Sequence, residues 1–78
     1  MPHVIVKCYP GRSAADKHAM AQSVSAALHD TMGYDIKNVS VAVEEIEQAD
    51  WMREVYERDI LEHKERMVKL PGYGPLWG

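Results

Sequence analysis

Residues 3–13 read HVIVKCYPGRS, and this stretch decides the fold. Val4, Val6 and Cys8 alternate with His3, Ile5, Lys7 and Tyr9. A period of two rich in β-branched residues predicts a strand over residues 3–9. Pro10 and Gly11 close it, because proline has no N–H for a ladder and the pair favours a turn. Ser13 then stands three residues before Asp16, the spacing of a capping box: a hydroxyl for a first-turn N–H and a carboxylate at the positive end of a helix. A helix over residues 14–32 follows, with Met20, Val24, Ala27, Leu28 and Met32 as its inner stripe. Gly33 stands where a left-handed C-cap is wanted.

Working outward, Val39, Val41 and Val43 alternate again and predict a second strand over residues 39–43. Asp50 is placed to cap a second helix over residues 51–69, lined by Met52, Val55, Tyr56, Ile60 and Met67. Glu54 with Arg58, Glu62 with Arg66, and Glu65 with Lys69 are four apart in the favourable order and mark its solvated side. Pro71 and Gly72 stop that helix. The tail, residues 71–78, carries Tyr73, Leu76 and Trp77 and is expected at an interface. A helix between two strands is a crossover, so the fold class is α/β (α+β), a β-α-β unit of two parallel strands with a right-handed connection. Two strands alone leave both edges open. A two-fold partner would extend them to a four-stranded sheet, and a homo-oligomer is expected from this alone.

Composition narrows the function. At 78 residues the chain is one domain. Scaling laws give roughly 4,800 Å² folded against roughly 12,900 Å² unfolded, a small burial that usually calls for disulfides, a metal or a partner subunit. The single cysteine, Cys8, removes the first option and fits a reducing cytoplasm. Nine Lys+Arg against twelve Asp+Glu give a net charge of −3, without the basic stripe of a nucleic-acid binder. No apolar run approaches the roughly 20 residues of a membrane span, and the first residues lack the basic and apolar regions of a secretory leader.

Chemistry concentrates at the N-terminus. Proline at position 2 is a residue after which the initiator methionine is usually removed. Removal leaves a secondary amine at the start of a strand, and an apolar pocket beside a cation would make it a base near neutral pH. The bland role for Pro2 is to occupy a strand's first position, where no N–H is needed. His3 flanks Pro2 and is a candidate for the same pocket. His18, His29 and His63 show no ligand spacing, so no metal is expected. Cys8 reads as a buried, inert thiol, Ser40 as a strand or pocket-lining residue, and Glu44, Glu45 and Glu47 as a solvated acidic turn.

The opening MPHVIVK, then Pro10, Gly11, Arg12 and Ser13 before the helix, the valine strand, and Trp51 opening the second helix resemble the 4-oxalocrotonate tautomerase family. The stretch from Trp51 through Tyr56, Ile60 and Lys69 to Pro71, Gly72 and Tyr73 is similar to a subgroup of longer bacterial members that form dimers instead of hexamers. The resemblance implies a cofactor-free enol–keto tautomerase acting on a small 2-hydroxydienoate or enolpyruvate-type carboxylate. Its catalytic proline falls on Pro2, its carboxylate-binding arginine on Arg12, and its aromatic pocket residue at or near Trp51. The family's second arginine aligns with Ser40, where the match fails. One arginine and an indole then favour a monocarboxylate with an aromatic or apolar tail over a dicarboxylate. A hydratase or dehalogenase of small unsaturated acids, or a non-catalytic dimeric binding module, are the alternatives. Geometry adds its own condition. From Pro2 to Arg12 the chain crosses a whole strand, roughly 25–30 Å. If both serve one small ligand, Arg12 comes from a neighbouring chain.

Overall fold

The structure, a computed structural model, describes residues 1–76. Trp77, expected among the tail aromatics, lies outside the described residues. The chain divides into two units, Met1–Glu45 and Ile46–Gly78.

The first unit is the expected β-α-β arrangement. Strand β1 (His3–Cys8) and strand β2 (Ser40–Glu45) pair in parallel, joined by helix α1 (Ala14–Met32). The Ser13 hydroxyl accepts from the Asp16 N–H at 3.1 Å. At the other end Gly33 adopts φ 77° and its N–H donates to the His29 carbonyl at 2.9 Å. Both helix ends are therefore closed by the residues that the sequence offers for the purpose. Ala27 and Met32, expected on the inner stripe, are exposed.

Strand β2 begins one residue later than the valine pattern and runs two residues further. Val39 instead caps a 3₁₀ turn, Ile36–Asn38, its N–H donating to the Ile36 carbonyl at 3.1 Å. Pairing, not the residues' own preference, extends the strand: His3 stands opposite Ser40 and Cys8 opposite Glu45. Glu44 and Glu45 are thus ladder residues and not a solvated turn. That register sets Val4, Val6, Val41, Val43 and Glu45 on one face, and Lys17 of α1 reaches Glu45, so this face carries the helix. The opposite face presents His3, Ile5, Lys7, Ser40, Ala42 and Glu44. Within this unit nothing covers it, and Ile5 is 50% exposed.

The second unit departs from expectation. Instead of one helix over residues 51–69, a 3₁₀ turn (Gln48–Asp50) leads into a π-helix (Met52–Leu61), followed by another 3₁₀ turn (Lys64–Arg66). The wide winding is explicit in the Glu62 N–H, which donates to the Glu57 carbonyl five residues back at 3.0 Å. Hydrophobic spacing could not reveal it. Met52, Tyr56 and Ile60 recur every four residues, which keeps one face at 3.6 residues per turn and equally at about 4.4. None of the expected i,i+4 ion pairs forms among the described residues, and the helix that would have carried Glu62 with Arg66 and Glu65 with Lys69 has already ended at Leu61. Among the described residues Arg53 pairs instead with Asp50 at 3.1 Å and Glu54 at 3.3 Å, so Asp50 serves that arginine and not a helix cap.

Val55 and Tyr56 form the buried core of the described residues, Tyr56 at 1% exposure. The Tyr56 ring stacks obliquely on Tyr73, with centroids 5.4 Å apart, and its hydroxyl accepts from the Leu76 N–H at 2.7 Å. Gly74 lies over the same ring with φ 76°, at a distance that leaves no room for a Cβ. Residues 73–76 are therefore folded back on the π-helix of their own unit.

Candidate active site

Parallel pairing brings three of the sequence candidates together at the start of the sheet. The Pro2 carbonyl accepts from the Ser40 N–H at 3.1 Å, which carries the ladder one residue beyond the strand. Next to it, His3 Nδ1 lies 2.6 Å from the Ser40 hydroxyl. With Nδ1 engaged, the imidazole keeps Nε2 for a ligand. This hydrogen bond joins residues 37 apart in sequence, and only the register makes it. Pro2 is half-buried and Met1 is 94% exposed.

Arg12 stands elsewhere. It lies beyond the C-terminal end of β1, with its guanidinium 3.9 Å from Asp16 and 74% exposed. The uninterrupted strand separates it from Pro2 by roughly 3.3 Å for every residue between them, so the two stand at opposite ends of β1. Trp51 belongs to the second unit, where its indole N–H donates to the Tyr73 hydroxyl at 2.8 Å. The indole is thus oriented by the folded-back tail.

One group that the sequence presents as solvated, Glu45, shapes the Arg12 end. Glu45 Oε1 meets Lys17 Nζ at 2.5 Å, and Oε2 accepts from the Gly11 N–H at 3.2 Å. The lysine's hydrogen bond, then the Gly11 N–H, then the lysine's charge hold the Glu45 carboxyl below its ordinary value of 4.5 against a slight opposing effect of burial. On the open sheet face Lys7 lies 3.9 Å from Glu44. No short-range pattern marks the Glu45 contacts, since their partners lie 28 and 34 residues away. Cys8 is a free, half-buried thiol.

A groove of about 360 Å³ opens between α1 and β2, lined by His18, Gln22 and Ser25 from the helix with Ile36, Val39 and Val41 opposite. It includes none of Pro2, His3, Ser40 or Arg12, so this groove is not where the candidate chemistry sits. No helix among the described residues is long and apolar enough to cross a membrane.

Comparison with known proteins agrees with this architecture. Residues 2–56 match a family model described as "Tautomerase enzyme". A "Probable tautomerase" of Xylella fastidiosa (strain 9a5c) is 47% identical over 76 residues, covering 97% of this chain and 93% of that protein. "Tautomerase PptA" of Pectobacterium carotovorum subsp. carotovorum (strain PC1) is 36% identical over 74 residues, covering 94% and 97%. Among solved structures, TomN, described as a 4-oxalocrotonate tautomerase homologue in the tomaymycin biosynthetic pathway, superimposes with a TM-score of 0.62 at 31% identity, covering 82% of this chain and 95% of its own.

Proposed function

This chain belongs to the tautomerase family and is an enzyme of that class, and from that premise we propose that it interconverts the enol and keto forms of a small monocarboxylate through the amine of Pro2. Loss of the fully accessible Met1 frees a secondary amine at the edge of the sheet. That amine takes a proton from the enol hydroxyl and returns one to carbon, so one group serves as base and then acid. The observation that carries the reading is the tie between Pro2, Ser40 and His3, which holds the amine-bearing residue beside two hydrogen-bonding side chains.

Arg12 binds the substrate carboxylate in a bidentate, charge-assisted contact. Because it lies at the far end of β1, the Arg12 that completes a site is that of a partner subunit. The resemblance assigns Trp51 the role of the apolar wall that accepts an aromatic or apolar substrate tail. Ser40 and His3 offer neutral hydrogen bonds where a second cation would be needed for a dicarboxylate. A phenylenolpyruvate-type enol fits this set better than a 2-hydroxymuconate.

Assembly has independent support. No residue of Met1–Glu45 is buried, and one sheet face of that unit stands open. A homodimer that continues the sheet to four strands would close its open edge; a hexamer is the larger arrangement.

The test is ultraviolet-monitored ketonisation of phenylenolpyruvate, with 2-hydroxymuconate in parallel, on protein whose intact mass shows that Met1 is gone. Turnover well above buffer, faster on phenylenolpyruvate, is expected. A processed enzyme inactive on both compounds would overturn the reading. Preference for the dicarboxylate would overturn the assignment of Ser40 and His3.

A further inference from the structure

The loop between β1 and α1 carries Arg12 between two tethered neighbours. On one side the Gly11 N–H donates to Glu45 Oε2 at 3.2 Å. On the other, Ser13 caps α1, and its carbonyl accepts from the Lys17 N–H at 3.1 Å. Both tethers converge, because Lys17 Nζ also holds Glu45 Oε1 at 2.5 Å. Glu45 is the last ladder residue of β2, opposite Cys8, and its side chain lies on the face that α1 covers. One carboxylate, fixed at the end of a strand, thereby holds both the loop backbone before Arg12 and the first turn of the helix after it.

The conformation of the loop shows why a tether is useful. Gly11 adopts φ 116°, a region that glycine enters freely and also leaves freely, so nothing in the residue itself holds the turn. Arg12 is exposed, and its ion pair with Asp16, the one it makes among the described residues, is long at 3.9 Å. Such a surface pair is a weak restraint on where the guanidinium stands. The carboxylate bond to Gly11 restrains the backbone instead, and a carboxylate accepting from an N–H makes a charge-assisted bond stronger than a neutral one.

We infer that Glu45, with Lys17, is a positioning residue for substrate binding: it sets the backbone from which Arg12 reaches the carboxylate, without touching substrate itself. The inference rests on the proposed role of Arg12. Fixing a binding group in advance lowers the ordering cost that binding otherwise carries. Loosening the clamp therefore weakens capture of substrate and leaves the proton transfer at Pro2, at the other end of the strand, as it was.

The experiment is a kinetic double-mutant cycle on processed protein with phenylenolpyruvate, comparing wild type, Glu45→Gln, Arg12→Ala and the double variant. Sedimentation of each establishes that assembly is intact. Glu45→Gln should raise KM about tenfold with kcat within about twofold, the scale of a lost charge-assisted contact. In the Arg12→Ala background the same change should add nothing, since residues acting through one group are not additive. Lys17→Met, which leaves the Gly11 bond in place, should raise KM by a smaller factor and serves if Glu45→Gln does not fold. Wild-type KM in the clamp variants would overturn the inference, and so would a full tenfold effect that persists without Arg12. If Arg12→Ala itself leaves KM unchanged, the Arg12 assignment falls first and the clamp's role falls with it.

Discussion

His3 and Ser40 are hydrogen-bonded across the parallel pair, Nδ1 to hydroxyl at 2.6 Å, one residue from Pro2. Short O···N contacts of this kind hold an imidazole in one orientation and one tautomer. Replacing Ser40 with alanine should leave the strand intact and release the ring. We expect KM for phenylenolpyruvate to rise about three- to tenfold, the scale of one lost neutral hydrogen bond, with a smaller change in kcat. Steady-state kinetics on the processed enzyme checks this; equal kinetics to wild type would remove the pair from the site.

Pro2→Ala replaces a secondary amine by a primary one in a new position. The variant should lose about 10²- to 10⁴-fold in kcat, the usual contribution of a positioned acid–base group. Its circular dichroism and sedimentation should match wild type, because the Pro2 contact to Ser40 is made by a backbone carbonyl that alanine also has. Activity kept at wild-type level would end the proline mechanism.

Glu45 gives a pH dependence whose sign is set by its partners. Its carboxyl titrates below 4.5 in the fold, so it binds a proton less readily folded than unfolded. The stabilisation is fully present above pH 4.5 and is lost as pH falls through the lower folded value. Glu45→Gln should therefore melt below wild type at pH 7, and the gap should close as pH falls below 4.5. Thermal melts at several pH values decide it; a gap unchanged in acid would mean that the charge contributes nothing.

Gly74 and Tyr56 are expected to report on the tail. Gly74→Ala places a Cβ against the Tyr56 ring at a backbone angle that alanine avoids, and should cost about 1–3 kcal/mol. Tyr56→Phe removes the acceptor of the Leu76 N–H and should cost about 0.5–1.5 kcal/mol. Both should loosen residues 71–76, measurable as faster hydrogen exchange there. Unchanged exchange in Gly74→Ala would show that the tail is held by other contacts.

Sedimentation velocity should give a species of at least twice the chain's 8.9 kDa. A monomer at micromolar concentration with full activity would rule out a site shared between subunits.

Much of the fold was legible because its signals are local. The strand over residues 3–9, helix α1 with its Ser13 and Gly33 ends, and the parallel crossover each follow from neighbouring residues and chain length. Arg12 and Trp51 are legible only through the resemblance, since a lone arginine or tryptophan has no spacing to read, whereas Pro2 is marked out by its place behind Met1. The second helix winds wider than its sequence predicts for a specific reason: Met52, Tyr56 and Ile60 recur at a spacing that two windings share. Glu45 carries no signal in the sequence because an acidic run looks solvated until its distant partners are known.

The sequence by itself determined the alternation of β1, the closure of α1 at both ends and the order of elements, since side-chain period and capping act within a few residues. Tertiary structure alone decided that His3 meets Ser40, that Glu45 holds Gly11 and Lys17, and that the second helix winds wide. Each of these depends on which backbones lie side by side, and that is settled by pairing and burial summed over residues far apart in the chain.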